Sequence, residues 1–245
     1  QKTAYEIRLS LVGSEMCIRD RSYLLALHED GTKWLTRAAS DGILSMWIAP
    51  KNLMLGRFGL IDRAIAQVIS EWQELIGYFE NILSSDRSVT VIVKLAALSA
   101  SATALLPLGF SRIEQRWIVT LLRYLPQFMT YLELGASSNQ FKAISASEQY
   151  QLFEATKEIF PAVTVLAIAS GQTLENISPW LQRWLDPTDP IAHLIPILNG
   201  NDLKNELGLI AGAKIGEILN QLKLTQVEGI IPDRDRAIAY AKTLI

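Results

Sequence analysis

Two short stretches near the end of the chain carry residues that could do chemistry. In the first, residues 198–222, four glycines and the lysines Lys204 and Lys214 interrupt a sequence with helical periodicity. Glycine lets another backbone approach closely, and a helix start with free N–H groups and a nearby ammonium group can bind a phosphate. The second stretch places Asp233 two residues before Asp235. On a strand this spacing directs both carboxylates toward one pair of metal ions.

The pair of aspartates is predicted to be structural. It follows Pro232 and opens a predicted helix, where side chains two residues apart point about 200° apart and the carboxylates diverge. We interpret Asp233 and Asp235 as acids of a first helical turn, where the helix dipole favours negative charge. The sequence therefore predicts no catalytic residue and no metal ligand.

The other reactive side chains show no catalytic arrangement either. His28 and His193 lie far apart in sequence, and with the single cysteine, Cys17, they argue against a Cys/His zinc site. One cysteine also excludes a disulfide framework and fits a reducing cytoplasm. Trp180 and Trp184 stand one helical turn apart, a spacing typical of a buried stripe, with base stacking as the functional alternative.

The composition is that of an ordinary globular chain. Its 245 residues are 49% hydrophobic and 20% charged, enough for one large core or two to three small ones. The net charge is only -2, so any nucleic-acid binding must be local. The apolar run 89–110 approaches the length of a membrane span, but it contains Lys94 and Pro107. We expect no membrane span.

From Ser22 onward the sequence predicts helix after helix, because no sustained alternation of apolar and polar residues occurs. We predict an all-α fold, with a multi-helix neck and body followed by a small helical tail. Ser111 with Glu114, and Ser145 with Glu148, match the capping box that marks a helix start. A predicted core stripe consists of Ile61, Ala64, Ile65, Val68 and Ile69.

The tail is predicted from its turn and cap residues. Prolines concentrated in residues 184–200 disfavour helix and make this segment the best candidate for a domain junction. After it, Asn201 or Asp202 can cap a short helix that Gly208 ends. A longer helix is expected over residues 212–229, and its predicted buried stripe consists of Ile215, Ile218, Leu219 and Leu222.

The first residues show no pattern that predicts a helix or a strand. Residues 3–21, TAYEIRLSLVGSEMCIRDR, are similar to the peptide obtained when sequencing-adapter DNA is translated at the edge of an assembled fragment. Gly13 and Ser14 break a weak alternation, and no cap or helical stripe follows. We interpret residues 1–21 as a non-native leader. The alternative is a genuine N-terminal arm.

The glycine-rich stretch resembles a known family. GNDLKNELGLIAGAKIGEILNQL…VEGII is similar to the C-terminal tail of bacterial CCA-adding tRNA nucleotidyltransferases and related poly(A) polymerases, which carry G-x-D-L…G…G-P-x-[IL]-G…L…G. Ala213 stands where the family commonly has proline. A weaker resemblance extends back to Ser22 and includes DGIL…W…P, which is similar to the family's neck. The matching tail residues are Gly200, Asp202, Leu203, Gly208, Gly212, Ile215, Gly216, Leu219 and Gly229.

The resemblance implies a domain order and a reaction. After the leader, it implies a helical neck remnant over residues 22–90, a helical body over 91–185 and a tRNA-contacting tail over 186–245. The family's chemistry lies in an N-terminal α/β head that holds Mg²⁺ with CTP or ATP. Since the motifs of that head do not occur in this sequence, we expect no cofactor in this chain and no activity from it alone. The parent protein would add CMP and AMP, or AMP only, to tRNA 3′ ends.

The resemblance also implies a partner. In the family the tail grips the tRNA elbow, so we expect Lys204, Gly212, Lys214 and Gly216 to contact the tRNA backbone, with the catalytic head as a partner in cis. Local physics offers another interpretation of the glycines. Gly208 would be a helix C-cap, and Gly212 and Gly216 would let helices approach closely.

The charge of the tail argues for a second function class. Residues 171–245 contain seven Lys/Arg and nine Asp/Glu, so the tail alone is expected to bind tRNA weakly. The alternative is a helical protein-interaction module without RNA affinity, which this acidity and exposed apolar surfaces would favour.

Overall fold

The computed structural model describes residues 31–42, 45, 54–84, 87–99, 101–105, 110–138, 144–209 and 212–245. The predicted leader lies outside the described residues. Of the DGIL…W…P pattern, only the Asp and the Gly are described, and Trp47 and Pro50 are not.

Helices account for nearly all regular structure in the described residues, which confirms the predicted all-α fold. The helices of the first half are α1 Gly31–Ser40, α2 Leu55–Glu71, α3 Ile76–Glu80, α4 Val89–Ala97, α5 Ala102–Leu105 and α6 Arg112–Ser138. Those of the second half are α7 Ala146–Thr156, α8 Phe160–Ala169, α9 Leu174–Leu185, α10 Gly200–Leu207, α11 Ala213–Val227 and α12 Arg234–Lys242. Short 3-10 turns cover Gln73–Leu75 and Lys157–Ile159.

A two-stranded antiparallel sheet was not predicted. Strand β1, Ile82–Ser84, pairs with β2, Arg87–Ser88, with Ile82 opposite Ser88 and Ser84 opposite Arg87. Strands of two and three residues are too short to produce an alternating pattern in the sequence.

The chain divides into two compact units, each built from two segments. The first contains Gln1–Leu132 and Glu158–Ile177, and the second contains Glu133–Lys157 and Ser178–Ile245. The predicted boundary at residue 90 falls within the first unit and the one at residue 185 within the second. The functional division into neck, body and tail stays a prediction. No helix in the described parts of the chain is long and apolar enough to cross a membrane.

The first unit is built around helix α8, which is buried on every side and packs against α2. A helix that is apolar all round belongs in a core, and α8 has this character. The predicted stripe of α2 supplies the facing surface. Four of its five residues are buried and Ile69 is half-buried, so the predicted core stripe is confirmed.

The start of α6 contains a buried ion pair. The predicted capping box is present, with Ser111 N–H donating to Glu114 Oε2 at 2.7 Å and Glu114 N–H donating to Ser111 Oγ at 3.4 Å. Glu114 Oε1 lies 2.8 Å from Arg87 Nε, and the two side chains are 0% and 3% exposed. The Arg87 guanidinium also lies 5.8 Å from the centre of the Phe110 ring. One carboxylate thus joins a helix start to β2.

In the second unit, α7 and α9 form an aromatic core. Trp180 is 2% exposed and its ring centre lies 5.9 Å from that of Phe153, so the predicted buried stripe is confirmed at this residue. Trp184 is only half-buried, and its indole N–H donates to the Lys157 carbonyl at 3.0 Å.

Helix α7 also contacts α11 within this unit. The predicted capping box of Ser145 and Glu148 begins α7. Ser147 N–H then donates to Glu228 Oε1 at 2.8 Å, and its hydroxyl donates to the Leu224 carbonyl at 3.4 Å. Hydrogen bonds from Ser147 lower the pKa of the Glu228 carboxyl. The predicted tail therefore packs on a helix that precedes it by many residues.

Candidate nucleic-acid interface

The last three helices pack around one small core. The periodicity of α11 predicted a buried stripe, and Ile215, Ile218 and Leu222 are buried while Leu219 is half-buried. The whole cluster consists of Leu198, Leu203, Ile215, Ile218, Leu222, Ile231, Ala237 and Ala241. This core fixes the starts of α10 and α11, which carry the glycines and lysines singled out above.

Helix α10 begins two to three residues earlier than predicted. Its N-cap is Asn199, whose side chain accepts N–H bonds from Asn201 at 2.8 Å and Asp202 at 3.1 Å. Asp202 Oδ2 accepts the Asn199 N–H at 2.8 Å and completes a capping box. The prediction that Asn201 or Asp202 is the N-cap was wrong. Asn199 and Asp202 form a capping box in which Asp takes the place of the usual Glu or Gln.

Two glycines with left-handed backbone stand where helices of the tail end. Gly208 has a φ of 65° and donates its N–H to the Lys204 carbonyl at 3.0 Å, which confirms its predicted role. Gly229, after α11, has a φ of 75°. Left-handed backbone of this kind favours glycine, since a Cβ atom would be strained there.

Close helix approach does not explain Gly216. A Cβ atom built there would have no neighbour within 4 Å, and the residue is exposed on α11. The packing interpretation was therefore wrong at this position. The close contact lies instead at Gly200, where a Cβ would sit 3.6 Å from Ile215 and 3.9 Å from Leu219. Gly212 has extended backbone that any residue can adopt, and no side chain caps α11 from this position.

The starts of α10 and α11 line an open cavity of about 370 Å³, which we call the tail groove. Its lining residues are Asn199, Gly200, Asn201, Lys204, Gly212 and Ile215. The structure thus places Lys204 and Gly212 at the same groove. Lys214 and Gly216 do not line the tail groove; they lie exposed on α11, just after its start.

Lys204 and Lys214 are exposed, while the two acids of α10 are paired. Within the described part of the chain, neither Lys204 nor Lys214 has a carboxylate within salt-bridge distance. Arg234, at the start of α12, places Nη2 2.9 Å from Asp202 Oδ1 and 3.3 Å from Glu206 Oε1. The Arg234 guanidinium is the main cause that holds the pKa of the Asp202 carboxyl below its usual value.

Acid is expected to weaken the tail through Asp202. Because Arg234 and the Asn199 N–H lower the folded-state pKa below the ordinary 3.8, this contribution is complete above that value and disappears as pH falls through the folded-state pKa. Melting temperatures measured from about pH 5 to about pH 2 should fall less steeply in Asp202→Asn than in the wild type. Asp235→Asn, which removes an exposed carboxylate outside this network, should keep the wild-type slope. Equal slopes in wild type and Asp202→Asn would contradict the prediction.

Asp233 and Asp235 occupy the start of α12, as predicted. Asp233 is the N-cap, and its Oδ1 accepts the Arg236 N–H at 2.9 Å. Asp235 follows in the first turn and is exposed. Capping occupies one of the two carboxylates, so the pair does not fit the two-metal arrangement. Across the residues that the structure describes, no group of three or more His, Cys, Asp or Glu side chains is placed to hold a metal ion.

Fold and site together define an all-α protein whose small C-terminal helical tail carries an open groove edged by lysine. Residues 90–241 match the protein family described as tRNA nucleotidyltransferase domain 2. This match covers more than half of the chain, and the chain belongs to that family.

A curated relative supports the same assignment. The chain is 28% identical to a CC-adding tRNA nucleotidyltransferase of Synechocystis sp. (strain ATCC 27184 / PCC 6803 / Kazusa), over 97% of this chain and 56% of the relative. The chain therefore spans little more than half the length of this relative. Because 97% of this chain is aligned, the aligned region extends into residues 1–21, whose interpretation as a leader stays a prediction. No solved structure matches the chain.

Proposed function

We propose that this chain is the C-terminal portion of a tRNA nucleotidyltransferase and that its tail binds the tRNA elbow through the phosphate backbone. The contacts would come from Lys204, Gly212, Lys214 and Gly216. The observation that carries the proposal is the tail groove, where two helix starts and a lysine converge in a chain that belongs to a tRNA nucleotidyltransferase family. The parent would act in the cytoplasm, with its catalytic head in cis binding Mg²⁺ with CTP or ATP.

The start of α11 supports a phosphate contact. Gly212 offers no side chain to cap the first N–H groups of this helix, and Lys214 stands exposed in its first turn. Free N–H groups and a lysine at a helix start favour an anion through hydrogen bonds and the helix dipole. Such contacts position a nucleic acid without reading its sequence.

Gly216 supports close approach by an external backbone. A glycine inside a helix costs about 1 kcal/mol relative to alanine, and here no packing contact offsets that cost. The open space beside Gly216 is instead available to a partner. We propose that a tRNA phosphate or ribose occupies it.

The catalytic head of the parent would decide which nucleotides are added. The family resemblance left open whether the parent adds C, A or both. The curated relative is named a CC-adding enzyme, so CC addition is the first specificity to test on the whole protein.

Lys214→Ala tests the tRNA contact directly. We expect the change to weaken binding similarly for different tRNAs and to lower the slope of log affinity against log salt by about one. Fluorescence anisotropy with labelled tRNA over a series of salt concentrations measures both quantities. Lys242→Ala, at the end of α12, makes the same charge change away from the tail groove and should leave the slope unchanged. Unchanged affinity and slope in Lys214→Ala would refute the assignment of this contact.

Substitutions of Gly216 should affect stability and tRNA binding differently. Gly216→Ala is expected to raise the free energy of unfolding by about 0.4–1 kcal/mol, because alanine reduces the freedom of the unfolded chain and meets no clash. Gly216→Val should weaken tRNA binding because its branched side chain fills the open space. Urea denaturation and the anisotropy assay measure the two effects.

A second helical glycine provides a matched control for Gly216. A Cβ atom at Gly135, in α6, would likewise meet no atom within 4 Å, so Gly135→Val should leave tRNA binding unchanged. The hypothesis for Gly216 fails if both valine variants bind like the wild type.

The alternative function, a protein-interaction module without RNA affinity, is favoured by two exposed apolar residues. Ile195 and Ile230 are 83% and 63% exposed in the second unit. The anisotropy assay separates the two functions. Absence of tRNA binding by the wild-type chain, even at low ionic strength, would favour the protein-interaction module.

A further inference from the structure

One arginine joins the last helix to both carboxylates of α10. Arg234 Nη2 lies 2.9 Å from Asp202 Oδ1 and 3.3 Å from Glu206 Oε1. Asp202 and Glu206 flank Lys204 in sequence, and Lys204 lines the tail groove. The same nitrogen therefore serves the two acidic groups of the helix that forms one side of the groove.

Asp202 links Arg234 to a residue that lines the tail groove. Its Oδ1 binds Arg234, and its Oδ2 accepts the N–H of Asn199, a lining residue of the groove. Asn199 in turn caps α10. Arg234 thus holds the carboxylate that closes the capping box at the groove.

The two carboxylates of α10 affect the electrostatic potential that an anionic partner meets at the tail groove. Helix α10 has eight residues and is about 12 Å long, so both carboxylates lie within about one to two Debye lengths of the groove at physiological salt. Without a cation between them, Asp202 and Glu206 would repel a phosphate backbone that approaches Lys204. The Arg234 side chain is 47% exposed, lies beside both carboxylates and offsets one of their two negative charges from the α12 side.

We propose that Arg234 is a positioning residue for tRNA binding: it reduces the negative charge that Asp202 and Glu206 present and keeps α10 in the conformation that presents Lys204 and the tail groove. This inference rests on the proposed function of the groove. Arg234 need not contact the tRNA itself. Arg234 affects tRNA affinity by way of Asp202 and Glu206, and the experiments below test this dependence.

The first measurement compares two arginines of α12. Arg234→Ala is expected to weaken binding of the 245-residue chain to tRNA about three- to tenfold at low ionic strength, with the loss shrinking as salt screens the carboxylates. Arg236→Ala removes the same charge from a side chain that is 70% exposed and is paired only with Asp233 in its own helix turn, at 4.0 Å, among the described residues. It should change affinity less than about twofold. Equal losses in the two variants would show a net-charge effect and overturn the proposal.

A double-mutant cycle with Glu206 identifies the route. In the wild type, where Arg234 compensates Glu206, Glu206→Gln should change affinity less than about twofold. In the Arg234→Ala background the same change should restore a large part of the lost affinity, because it removes an uncompensated charge. If Glu206→Gln has the same effect in both backgrounds, Arg234 does not act through this carboxylate and the proposal is wrong.

Arg234→Lys keeps the experiment decisive if the alanine variant is poorly folded. Since one nitrogen of Arg234 serves both carboxylates, lysine can supply the same charge, and Arg234→Lys should bind within about twofold of the wild type. Arg234→Gln, similar in length but neutral, should not. Circular dichroism melts confirm that binding is compared between folded proteins. Equal binding by the lysine and glutamine variants would overturn the proposal.

The outcome also separates this inference from the proposed function. If Lys204→Ala and Lys214→Ala leave tRNA affinity unchanged, the tail groove is not the tRNA site, and the inference falls with it. Suppose instead that Lys204→Ala and Lys214→Ala weaken binding, while Arg234→Ala and Arg236→Ala lose equal affinity or Glu206→Gln has the same effect in both backgrounds. The proposed function then stands and only the role of Arg234 is refuted.

Discussion

Glu114→Ala is expected to lower the free energy of unfolding by about 3–5 kcal/mol, because it breaks a buried ion pair by removing the carboxylate that faces the Arg87 guanidinium. Glu114 is fully buried, and its Oε1 lies 2.8 Å from Arg87 Nε. The same residue closes the capping box of α6 through Ser111. Loss of the cap adds to the cost, although the buried charge makes the larger contribution. Urea denaturation followed by circular dichroism measures the change.

The chain contains a matched control for this prediction. Glu148 closes the equivalent capping box at the start of α7, but it is exposed and no buried arginine faces it within the described residues. Glu148→Ala should therefore cost only the cap, about 0.5–2 kcal/mol. If the two alanine variants lose the same stability, the buried pair of Arg87 and Glu114 is not an important stabilising feature.

Leu203→Ala is expected to destabilise the tail by about 2–5 kcal/mol, because truncation of a buried leucine loses hydrophobic transfer energy and leaves a cavity. Leu203 is 1% exposed and belongs to the cluster that holds α10, α11 and α12 together. Hydrogen exchange of the amides of these three helices measures the loss where it occurs. On the proposed function, tRNA binding should decline with the protection of α10, since that helix forms one side of the tail groove.

Ile230→Ala is the control for the tail core. Ile230 lies in the same part of the chain but is 63% exposed, so its truncation should change stability by less than about 0.5 kcal/mol. If Leu203→Ala leaves amide protection in α10 and α11 at the wild-type level, the cluster does not hold the tail together.

The local features of the fold were predictable because they depend on residues close together in sequence. Both capping boxes need only a Ser and a Glu three positions apart, and both form as expected. Gly208 ends α10 because left-handed backbone favours glycine wherever the helix packs. The buried stripe of α11 follows from the period of a helix, which is independent of the neighbouring helices.

The candidate site was only partly predictable. The sequence identified Lys204 and Gly212, and the structure brings them together at the tail groove. It also suggested that Gly216 serves helix packing, whereas the close approach occurs at Gly200. Periodicity shows which face of a helix is buried, but it does not show which residue on that face meets the neighbouring helix.

The sequence by itself determined the all-α fold, the two capping boxes of Ser and Glu, the C-cap at Gly208 and the buried stripes, since each is set by periodicity or by residues within one helical turn. Its glycine pattern also indicated the family, to which residues 90–241 belong. The tertiary structure alone decided that Arg234 pairs with Asp202 and Glu206, residues 32 and 28 positions earlier in the chain. Contacts over such distances depend on how three helices pack around Leu203 and its neighbours. No local pattern in the sequence encodes that geometry.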